Sequence, residues 1–347
     1  MSIEQNKFRV GLIGAGWVGE KRARVISEHP HSELVAVADI DSQRAQKLAA
    51  EFGAPDCRVL SDGFELARAP EVDVLVVSTI NKFLAPFTIA ALENKKQVLS
   101  EKPLGRNVAE ARAMVRAANN AGRVLKIGFN HRHFPHLQEM VRQSKSGAIG
   151  EPIYVRIIYG HGGRPGYENE WRMNPELSGG GHLMDQGIHS VDLARWLLGD
   201  MTRVFADMPT LFYPIAVEDN VFALMWTATG KVAQFHAGLT QWKNRFEVEL
   251  GGTNGALCAE GRGGHYGASR LVLHQRNPRG GKPTETVWEF GDSDPSWANE
   301  WTEFLDALRH GREPTANGVE GLRAMEIVEA LYRSARAKKV AAVVRTV

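Results

Sequence analysis

The segment "FRVGLIGAGWVGEKRA", residues 8–23, decides the fold of the first part of the chain. It starts as an apolar strand and continues as a helix, with Gly14, Gly16 and Gly19 around the junction. Glycines at these positions permit a tight turn, the approach of a pyrophosphate and close packing of the helix on the strand. The free N–H groups at the helix start favour phosphate. The segment therefore predicts a dinucleotide-binding turn; incidental glycines in an ordinary turn are the alternative.

The next predicted strand ends in an acidic residue, Asp39. A carboxylate at this strand end can accept hydrogen bonds from both ribose hydroxyls, and it repels a 2′-phosphate. Ile40 supplies no compensating cation, while Arg44 lies one helical turn further on. We therefore predict NAD as the cofactor, with NADP disfavoured.

Apolar strands and helical segments alternate through the first part of the chain, residues 1–127. The nearly continuous apolar character of the strands indicates burial on both faces. Alternation of this kind predicts right-handed βαβ units. We expect residues 1–127 to form a Rossmann domain, an α/β fold with a doubly wound parallel sheet.

The pattern changes after about Gly128. Segments such as "EPIYVRIIYG" and "RFEVELGGTNGALCAEG" alternate apolar and polar residues, and "ATGK" and "GTNG" are typical hairpin turns. Helices are predicted at Pro135–Gly147, Trp297–Arg309 and Val319–Ala337. We expect residues 128–347 to form an α+β domain with a mostly antiparallel sheet, which binds substrate and supports oligomerisation. Glycine-rich segments such as "GRGGHYGAS" are interpreted as surface loops.

The composition excludes several classes of protein. A chain of 347 residues favours two domains, and a net charge of +2 without a basic block gives no support to a nucleic-acid partner. Two cysteines, Cys57 and Cys258, exclude a disulfide framework. The start of the chain lacks the apolar segment of a signal peptide, and no apolar run approaches the ~20 residues of a membrane span. We expect a cytoplasmic protein without a membrane partner.

Lys102 directly follows the predicted strand "KKQVLS", within the sequence "EKPLG". Ligands of open α/β sheets bind at the carboxyl ends of the strands, where this lysine would lie. Pro103 restricts Lys102 to an extended conformation and can form a cis bond. A functional lysine and an ordinary surface lysine are the alternatives.

The segment "GGGHLMDQGIHSVDLARW", residues 179–196, opens a predicted helix on three glycines. At 100° per residue the apolar positions cluster on one face, and Asp185, His189, Asp192 and Trp196 form a stripe opposite. The glycines would give a ligand room beside this stripe. A solvated helix face with an incidental ion pair is the alternative interpretation.

A dinucleotide site in the same chain favours a catalytic role for this stripe. Removing hydride from an alcohol carbon needs a base for the hydroxyl proton, and imidazole titrates near neutral pH. His189 is the candidate base. Asp185 would orient the ring, stabilise its cation or bind a second substrate hydroxyl, and Lys102 would stabilise a developing alkoxide.

Other polar segments are weaker candidates. The sequence "HRHFPH" raises the possibility of a metal site, but no acidic residue or cysteine is close in sequence, so we predict no metal. Trp171 and Arg172 could stack on a sugar or bind an anion, or lie in a surface loop. Trp242 and Lys243 are predicted on a strand, with packing favoured over ligand contact.

The order of these motifs resembles the Gfo/Idh/MocA family over essentially the whole chain. The resemblance rests on GAGWVG, the strand ending in Asp39, EKPL, GFNHRHFP, GEP, GGGHLMDQGIHSVDLARWLLG and EDN. It implies a Rossmann domain, a second domain with an open sheet, a tightly held NAD(H) or NADP(H), and sugar or cyclitol substrates. By motif, Lys102 matches the lysine of EKP, and Asp185 and His189 match the DxxxH pair with His189 as the acid/base.

One segment departs from the family pattern. Members of the family usually read TPNHLHAP after the fourth strand, whereas this chain reads TINKFLAP. Ile80 replaces the proline, and Lys82 and Leu84 replace the histidines. The departure affects the expected nicotinamide contacts, and Lys82 adds a cation that could face an anionic substrate group.

Two sets of site residues follow from these arguments. Small polar residues at the end of "VDVLVVST" suit either the nicotinamide half of the cofactor or a plain turn. The predicted cofactor contacts are Gly14, Gly16, Trp17, Val18, Gly19, Asp39, Ser78, Thr79, Asn81, Glu101, Lys102 and Asn130. The predicted substrate contacts are Lys102, Arg132, Trp171, Arg172, Asp185 and His189.

We thus predict an NAD(P)-dependent oxidoreductase acting on a secondary hydroxyl, or the corresponding ketone, of a sugar, cyclitol or sugar derivative. A glycoside hydrolase or lyase that oxidises its sugar transiently would share these motifs. A non-catalytic dinucleotide-binding sensor is the third possibility, although such a protein could dispense with Lys102 and His189. The outer face of the second sheet predicts a homodimer or homotetramer.

Overall fold

The computed structural model describes residues 7–346. Contacts divide the chain into two compact units. The first contains the described residues up to Phe129 together with Trp297–Leu322, and the second contains Asn130–Ser296 together with the described residues from Arg323 onward. The segment Trp297–Leu322 thus packs with the first unit, although the sequence analysis grouped it with the second.

The first unit is built on a six-stranded sheet in which every neighbouring pair is parallel. The strand order is 3-2-1-4-5-6, which is the doubly wound Rossmann arrangement. The predicted fold class is therefore confirmed for this unit. The strands are β1 (Phe8–Ile13), β2 (Ser32–Ala38), β3 (Gly53–Leu60), β4 (Val74–Val77), β5 (Gln97–Ser100) and β6 (Leu125–Ile127).

The second unit contains a nine-stranded sheet in the order 14-13-12-11-7-10-9-8-15. Only the pair β7–β10 is parallel among the described strands of this sheet, so the predicted mostly antiparallel sheet is confirmed. The hairpins predicted at "ATGK" and "GTNG" join β9 to β10 and β11 to β12. The strands are β7 (Pro152–Gly160), β8 (Met201–Asp207), β9 (Asn220–Thr227), β10 (Val232–Gly238), β11 (Arg245–Gly252), β12 (Gly255–Glu260), β13 (Ser269–Gln275), β14 (Thr284–Gly291) and β15 (Ala341–Ala342).

Helices cover both sheets. In the second unit α8 packs on β7 and β10, and α6 packs on β12, β13 and β14. None of the helices within residues 7–346 is long and apolar enough to cross a membrane. The helices are α1 (Trp17–Glu28), α2 (Ser42–Phe52), α3 (Gly63–Arg68), α4 (Asn81–Glu93), α5 (Val108–Ala121), α6 (Pro135–Lys145), α7 (Pro175–Ser178), α8 (Ile188–Leu198), α9 (Ser296–Arg309) and α10 (Gly318–Ala337).

Helix α9 completes the core of the first unit. Trp301, Phe304 and Leu305 are buried in the same cluster as Leu12 and Val76 of the parallel sheet. The Trp301 indole N–H donates a 3.0 Å hydrogen bond to the Ser32 hydroxyl. A helix from late in the chain therefore covers the dinucleotide-binding sheet.

Candidate active site

The glycine loop after β1 has the geometry of a phosphate-binding turn. Gly14 has φ +101°, and a Cβ at this position would lie 2.5 Å from the Ser78 carbonyl oxygen. A Cβ on Gly19 would lie 2.0 Å from the Gly14 carbonyl oxygen, so the α1 start packs directly on the turn. A Cβ on Gly16 would meet nothing within 4 Å, which leaves open space beside the N-terminus of α1. The loop therefore fits a bound pyrophosphate.

The Asp39 carboxylate lies beside this loop. It accepts a 2.6 Å hydrogen bond from the Ala15 N–H and a 2.8 Å bond from the Asp41 N–H. Asp39 thus fixes the backbone between Gly14 and Gly16, in addition to any contact with a ribose. A carboxylate can accept further hydrogen bonds, so this geometry fits the predicted ribose contact.

The polar residues after β4 mainly stabilise the turn. The Ser78 hydroxyl donates to the Gly14 carbonyl at 3.0 Å, and the Thr79 hydroxyl donates to the Ile80 carbonyl at 3.2 Å. Asn81 is the first residue of α4 and is buried. Both interpretations of this segment remain open, because a hydroxyl that donates to the backbone can still accept from a ligand.

Two predicted cofactor contacts, Trp17 and Val18, are the first residues of α1. The Trp17 side chain is 66% exposed, and its ring meets the Trp297 ring edge to face at 6.3 Å. Val18 is partly buried. Both residues remain predicted cofactor contacts.

Glu101 has a structural partner that the sequence analysis missed. Its carboxylate accepts hydrogen bonds from the buried Arg22 guanidinium, at 2.8 Å to Nε and 2.5 Å to Nη2. Arg22 also pairs with the buried Glu300 at 2.7 Å. Glu101 therefore links the segment that carries Lys102 to α1. The sequence analysis had predicted a cofactor contact for Glu101 and not this ion pair. Lys102 is partly buried, and the Lys102–Pro103 bond is cis.

The segment of Asp185 and His189 is not one regular helix. Leu183–Gly187 forms a π-helical turn, and the α-helix begins at Ile188. His189 is 4% exposed and Asp192 is fully buried, which contradicts the alternative of a solvated helix face. Wider turns of this kind occur often at functional sites.

The glycine triplet before this turn packs against protein. A Cβ on Gly180 would lie 2.0 Å from the Tyr332 hydroxyl, and a Cβ on Gly181 would lie 2.3 Å from the Glu218 carbonyl oxygen. The Glu218 carboxylate accepts hydrogen bonds from the N–H groups of Gly181 and Leu183. These glycines are needed for close packing and capping, so the predicted room for a ligand does not explain them.

The His189 imidazole belongs to a buried, ordered stack. Its ring lies 3.8 Å from the His131 ring between centroids, with planes 23° apart. His131 Nδ1 lies 3.0 Å from the Asn130 side-chain oxygen, and the Asn130 amide donates to the Ser296 hydroxyl at 2.8 Å. Asn130 therefore orients the stacked histidines within the second unit. The sequence analysis predicted Asn130 only as a cofactor contact.

The Asp185 carboxylate is held by two side chains. The Tyr167 hydroxyl lies 3.3 Å from Oδ2, and the Arg172 Nε lies 3.5 Å from Oδ1. Burial raises the pKa of Tyr167 and the Asp185 charge raises it further, so the phenol stays protonated and can donate. Arg172 also pairs with Glu170 and stacks on Trp171 at 4.7 Å. Arg172 therefore lies beside Asp185, as a shared substrate site requires.

Arg132 forms a buried ion pair with another side chain of the second unit. Its guanidinium donates to both Asp192 carboxylate oxygens, at 2.9 and 2.6 Å, and the residue is 3% exposed. A buried bidentate pair of this kind fixes α8 to the segment after β6. This geometry supports a packing role, in contrast to the predicted substrate contact.

The sequence analysis missed an arginine sandwiched between two tyrosines. The Arg262 guanidinium lies 5.6 Å from the Tyr159 ring and 4.3 Å from the Tyr266 ring. Tyr159 in turn contacts His131 at 5.1 Å and His189 at 6.2 Å between ring centroids. Arg262 and Tyr266 lie in the glycine-rich segment that the sequence analysis interpreted as a surface loop. An arginine and a tyrosine among glycines are all that the local sequence offers to indicate this cluster.

Comparison with known proteins places the chain in a family. Residues 8–129 match a family described as "Oxidoreductase family, NAD-binding Rossmann fold", and residues 134–258 match the GFO/IDH/MocA C-terminal domain. An inositol 2-dehydrogenase from Acidothermus cellulolyticus is 34% identical over 334 residues, covering 94% of this chain and 92% of that protein. The chain belongs to the GFO/IDH/MocA family. It is therefore an oxidoreductase with an NAD-binding domain, and the predicted enzyme class and cofactor are confirmed.

Other relatives and solved structures agree with this assignment. A D-apiose dehydrogenase from Paraburkholderia graminis is 28% identical and covers 95% of this chain and 88% of that protein. The aldose-aldose oxidoreductase from Caulobacter crescentus, complexed with glycerol, is 26% identical with a TM-score of 0.85, over 97% of this chain and all of that one. Levoglucosan dehydrogenase in complex with NADH shares the fold, with a TM-score of 0.87 over 98% of this chain and all of that one, at 23% identity.

Replacing Asp39 should weaken NAD binding. We expect Asp39→Ala to raise the Kd for NAD by roughly 10–100-fold, because charge-assisted hydrogen bonds contribute about 1.5–3 kcal/mol each. Discrimination against NADP should relax as well, since the charge that repels the 2′-phosphate is lost. Titration of both nucleotides measures these effects.

The variant Asp39→Asn separates the two roles of this carboxylate. It retains an acceptor for the Ala15 N–H but removes the charge, so it should relax nucleotide discrimination more than it weakens NAD binding. Asp41→Ala is the matched control, because this carboxylate accepts from the Gln43 and Arg44 N–H groups at the start of α2 and pairs with the Arg44 side chain at 3.1 Å. Unchanged affinity for both nucleotides in Asp39→Ala would contradict the ribose assignment.

Proposed function

We propose that this oxidoreductase interconverts a secondary hydroxyl and a ketone on a sugar, cyclitol or sugar derivative, with His189 as the acid/base. The observation that carries this proposal is the buried His189–His131 stack, one turn from the Asp185–Tyr167–Arg172 cluster. An ordered imidazole and a carboxylate with polar neighbours suit a polyhydroxylated substrate. The relatives named inositol 2-dehydrogenase and D-apiose dehydrogenase act on compounds of this class and support the proposal.

Three residues of the chain have defined tasks in this proposal. NAD, when bound, supplies the acceptor or donor of hydride. His189 accepts the hydroxyl proton during oxidation and returns it during reduction. Lys102 stabilises negative charge on the reacting oxygen, and Asp185 accepts a hydrogen bond from a second hydroxyl of the substrate.

The residues around Asp185 support its role as a substrate contact. Arg172 carries a pKa above its ordinary value, because the Asp185 and Glu170 charges outweigh the effect of burial. The Arg172 cation and the Tyr167 phenol therefore lie beside the Asp185 carboxylate. Hydroxyl groups of a sugar can donate to Asp185 and accept from Arg172, so one ring could satisfy both groups.

A substrate screen tests the proposed function. Sugars, cyclitols, sugar phosphates and nucleotide-linked sugars would each be incubated with NAD and NADP, and the absorbance of reduced nicotinamide would be followed. Net reduction of NAD by at least one polyhydroxylated compound is expected. Bond cleavage without net reduction would instead support the hydrolase or lyase alternative, and binding of NAD without any turnover would support a sensor.

We also propose that the protein forms a homodimer or homotetramer. The strands β9 and β10 expose one face that carries Phe222 and Leu224, which are 42% and 37% exposed. The Phe222 ring stacks on His236 at 4.2 Å, so this face is partly apolar. Light scattering in solution should give at least twice the mass of one chain; the mass of a single chain would contradict it.

A further inference from the structure

Two loops of the second unit expose a group of large apolar side chains. Leu211 and Phe212 follow β8 and are 61% and 59% exposed, and Trp242 lies between β10 and β11 and is 69% exposed. The Phe212 and Trp242 rings meet edge to face with centroids 4.9 Å apart. We call these three residues the aromatic platform. Its existence corrects the prediction that Trp242 lies on a strand and packs against protein.

The backbone that carries Leu211 and Phe212 is held by hydrogen bonds. The Asp219 carboxylate accepts hydrogen bonds from three consecutive N–H groups, those of Leu211, Phe212 and Tyr213, at 2.7, 2.8 and 3.0 Å. The Tyr213 hydroxyl donates to the Gly162 carbonyl at 2.7 Å. A loop fixed in this way loses little conformational entropy when a ligand binds to it. An exposed aromatic side chain on such a loop is suited to binding a ligand.

Aromatic contacts join the platform to the candidate substrate site within the same unit. The Phe212 ring lies 5.1 Å from the Tyr213 ring, and Tyr213 lies 6.2 Å from Tyr167 between centroids. The Tyr167 hydroxyl contacts Asp185. The Asp185 cluster and the platform therefore belong to one packed group of loops, in which Tyr167 is buried and the platform is the exposed end.

We propose that the aromatic platform binds a second ring of the substrate, the aglycone or second sugar of a glycoside. This proposal rests on the proposed function, since it assumes that the ring to be oxidised lies beside Asp185. A sugar ring presents an apolar face of C–H groups that packs on an aromatic side chain, while its hydroxyls stay in water. The edge-to-face pair of Phe212 and Trp242 provides such a surface.

The size of the platform favours a small ligand over a protein partner. A stable protein interface buries about 800 Å² on each partner, and three side chains cover only a fraction of that area. A charged group also borders Tyr167, because the Arg164 guanidinium, which pairs with Glu170, lies 5.0 Å from the Tyr167 ring. Such a cation can donate hydrogen bonds to the hydroxyls of a sugar.

Calorimetric binding to the protein loaded with NADH tests the proposal, because the reduced cofactor cannot accept hydride from the hydroxyls of the probes. The probes are D-glucose, D-galactose, D-mannose and D-xylose, each compared with its phenyl β-glycoside, and D-glucose also with cellobiose. At least one glycoside should bind about 10-fold more tightly than its parent sugar. Trp242→Ala and Phe212→Ala should abolish most of this difference while leaving the affinity for the parent sugar unchanged.

The matched control is Trp288→Ala, which removes a partly exposed tryptophan of β14 and should leave all affinities unchanged. A panel in which no glycoside binds more tightly than its parent would overturn the proposal. A smaller oligomer of Trp242→Ala in light scattering would also overturn it, since the platform would then be a contact between copies. Because binding is measured without turnover, loss of hydride exchange with binding retained would count against the proposed function alone.

Discussion

The variant His189→Ala should lower kcat by about 10²–10⁴, the range that a general acid/base contributes. The imidazole is buried and stacked on His131, so its orientation is fixed before substrate binds. Affinity for NAD should stay nearly unchanged, because the glycine loop and Asp39 belong to the first unit and His189 belongs to the second. Steady-state kinetics and NAD titration measure the two quantities separately.

Controls distinguish loss of catalysis from loss of structure. His189→Asn keeps a planar polar group in the stack but cannot exchange a proton near neutral pH, so it should be as inactive as the alanine variant. His274→Ala removes a partly exposed histidine of β13 that faces Glu285, and should retain full activity. Unchanged turnover in a folded His189→Ala protein would remove His189 from its proposed role.

The variant Arg22→Met should lower the free energy of unfolding of the first unit by about 3–5 kcal/mol, the usual effect of removing one partner from a buried ion pair. Arg22 is fully buried between the carboxylates of Glu101 and Glu300. Its guanidinium also stacks on Trp297 at 4.6 Å. Without the guanidinium, two buried carboxylates lose their nearest cation. Urea denaturation followed by tryptophan fluorescence measures the loss.

The pH dependence of this loss follows from Glu300. Burial raises the pKa of Glu300, an effect that the Arg22 and Lys126 charges oppose. Removing Arg22 therefore raises this pKa further, so the folded variant keeps a proton over a pH range in which the unsubstituted protein has already released it. The destabilisation should accordingly grow as the pH rises through that range, which lies above the ordinary glutamate pKa, and should be smaller and nearly constant at more acidic pH.

Two further variants test the assignment to the buried pair. Arg24→Met removes a half-exposed arginine of α1 that pairs loosely with Glu20 and Glu51, and should change stability by less than about 0.5 kcal/mol. The double variant Arg22→Met/Glu300→Gln should recover part of the stability at neutral pH. A loss below about 1 kcal/mol in Arg22→Met would show that the ion pair contributes little.

Features set by neighbouring residues could be predicted from the sequence. The glycine loop depends on Gly14, Gly16 and Gly19, which lie within six residues of one another, and its strand–turn–helix context is equally local. The turns "ATGK" and "GTNG" each join two strands that pair directly. Strand β3 was not predicted, because residues 53–60 contain a glycine, a proline and two charged side chains and none of them is buried, so no apolar pattern marks them.

Features that depend on distant residues were decided by the tertiary structure. Glu101 pairs with Arg22, which is 79 residues away, and Arg132 pairs with Asp192 across 60 residues. A motif shows that a carboxylate or guanidinium is present, but its partner depends on which elements pack together. The environment of Trp242 also depends on distant residues. Its ring contacts Phe212, which lies on another loop whose backbone is held by Asp219.

The sequence by itself determined the class of protein: an NAD-binding Rossmann unit, a second unit with a mostly antiparallel sheet, and the residue types of the DxxxH pair. Tertiary structure alone decided that α9 completes the first core, that a π-helical turn precedes His189, and that Tyr167 and Arg172 hold Asp185. The physical reason is that hydrophobic periodicity and glycine spacing act over a few residues, whereas buried charges are neutralised by whichever partner the packed elements bring within hydrogen-bond distance.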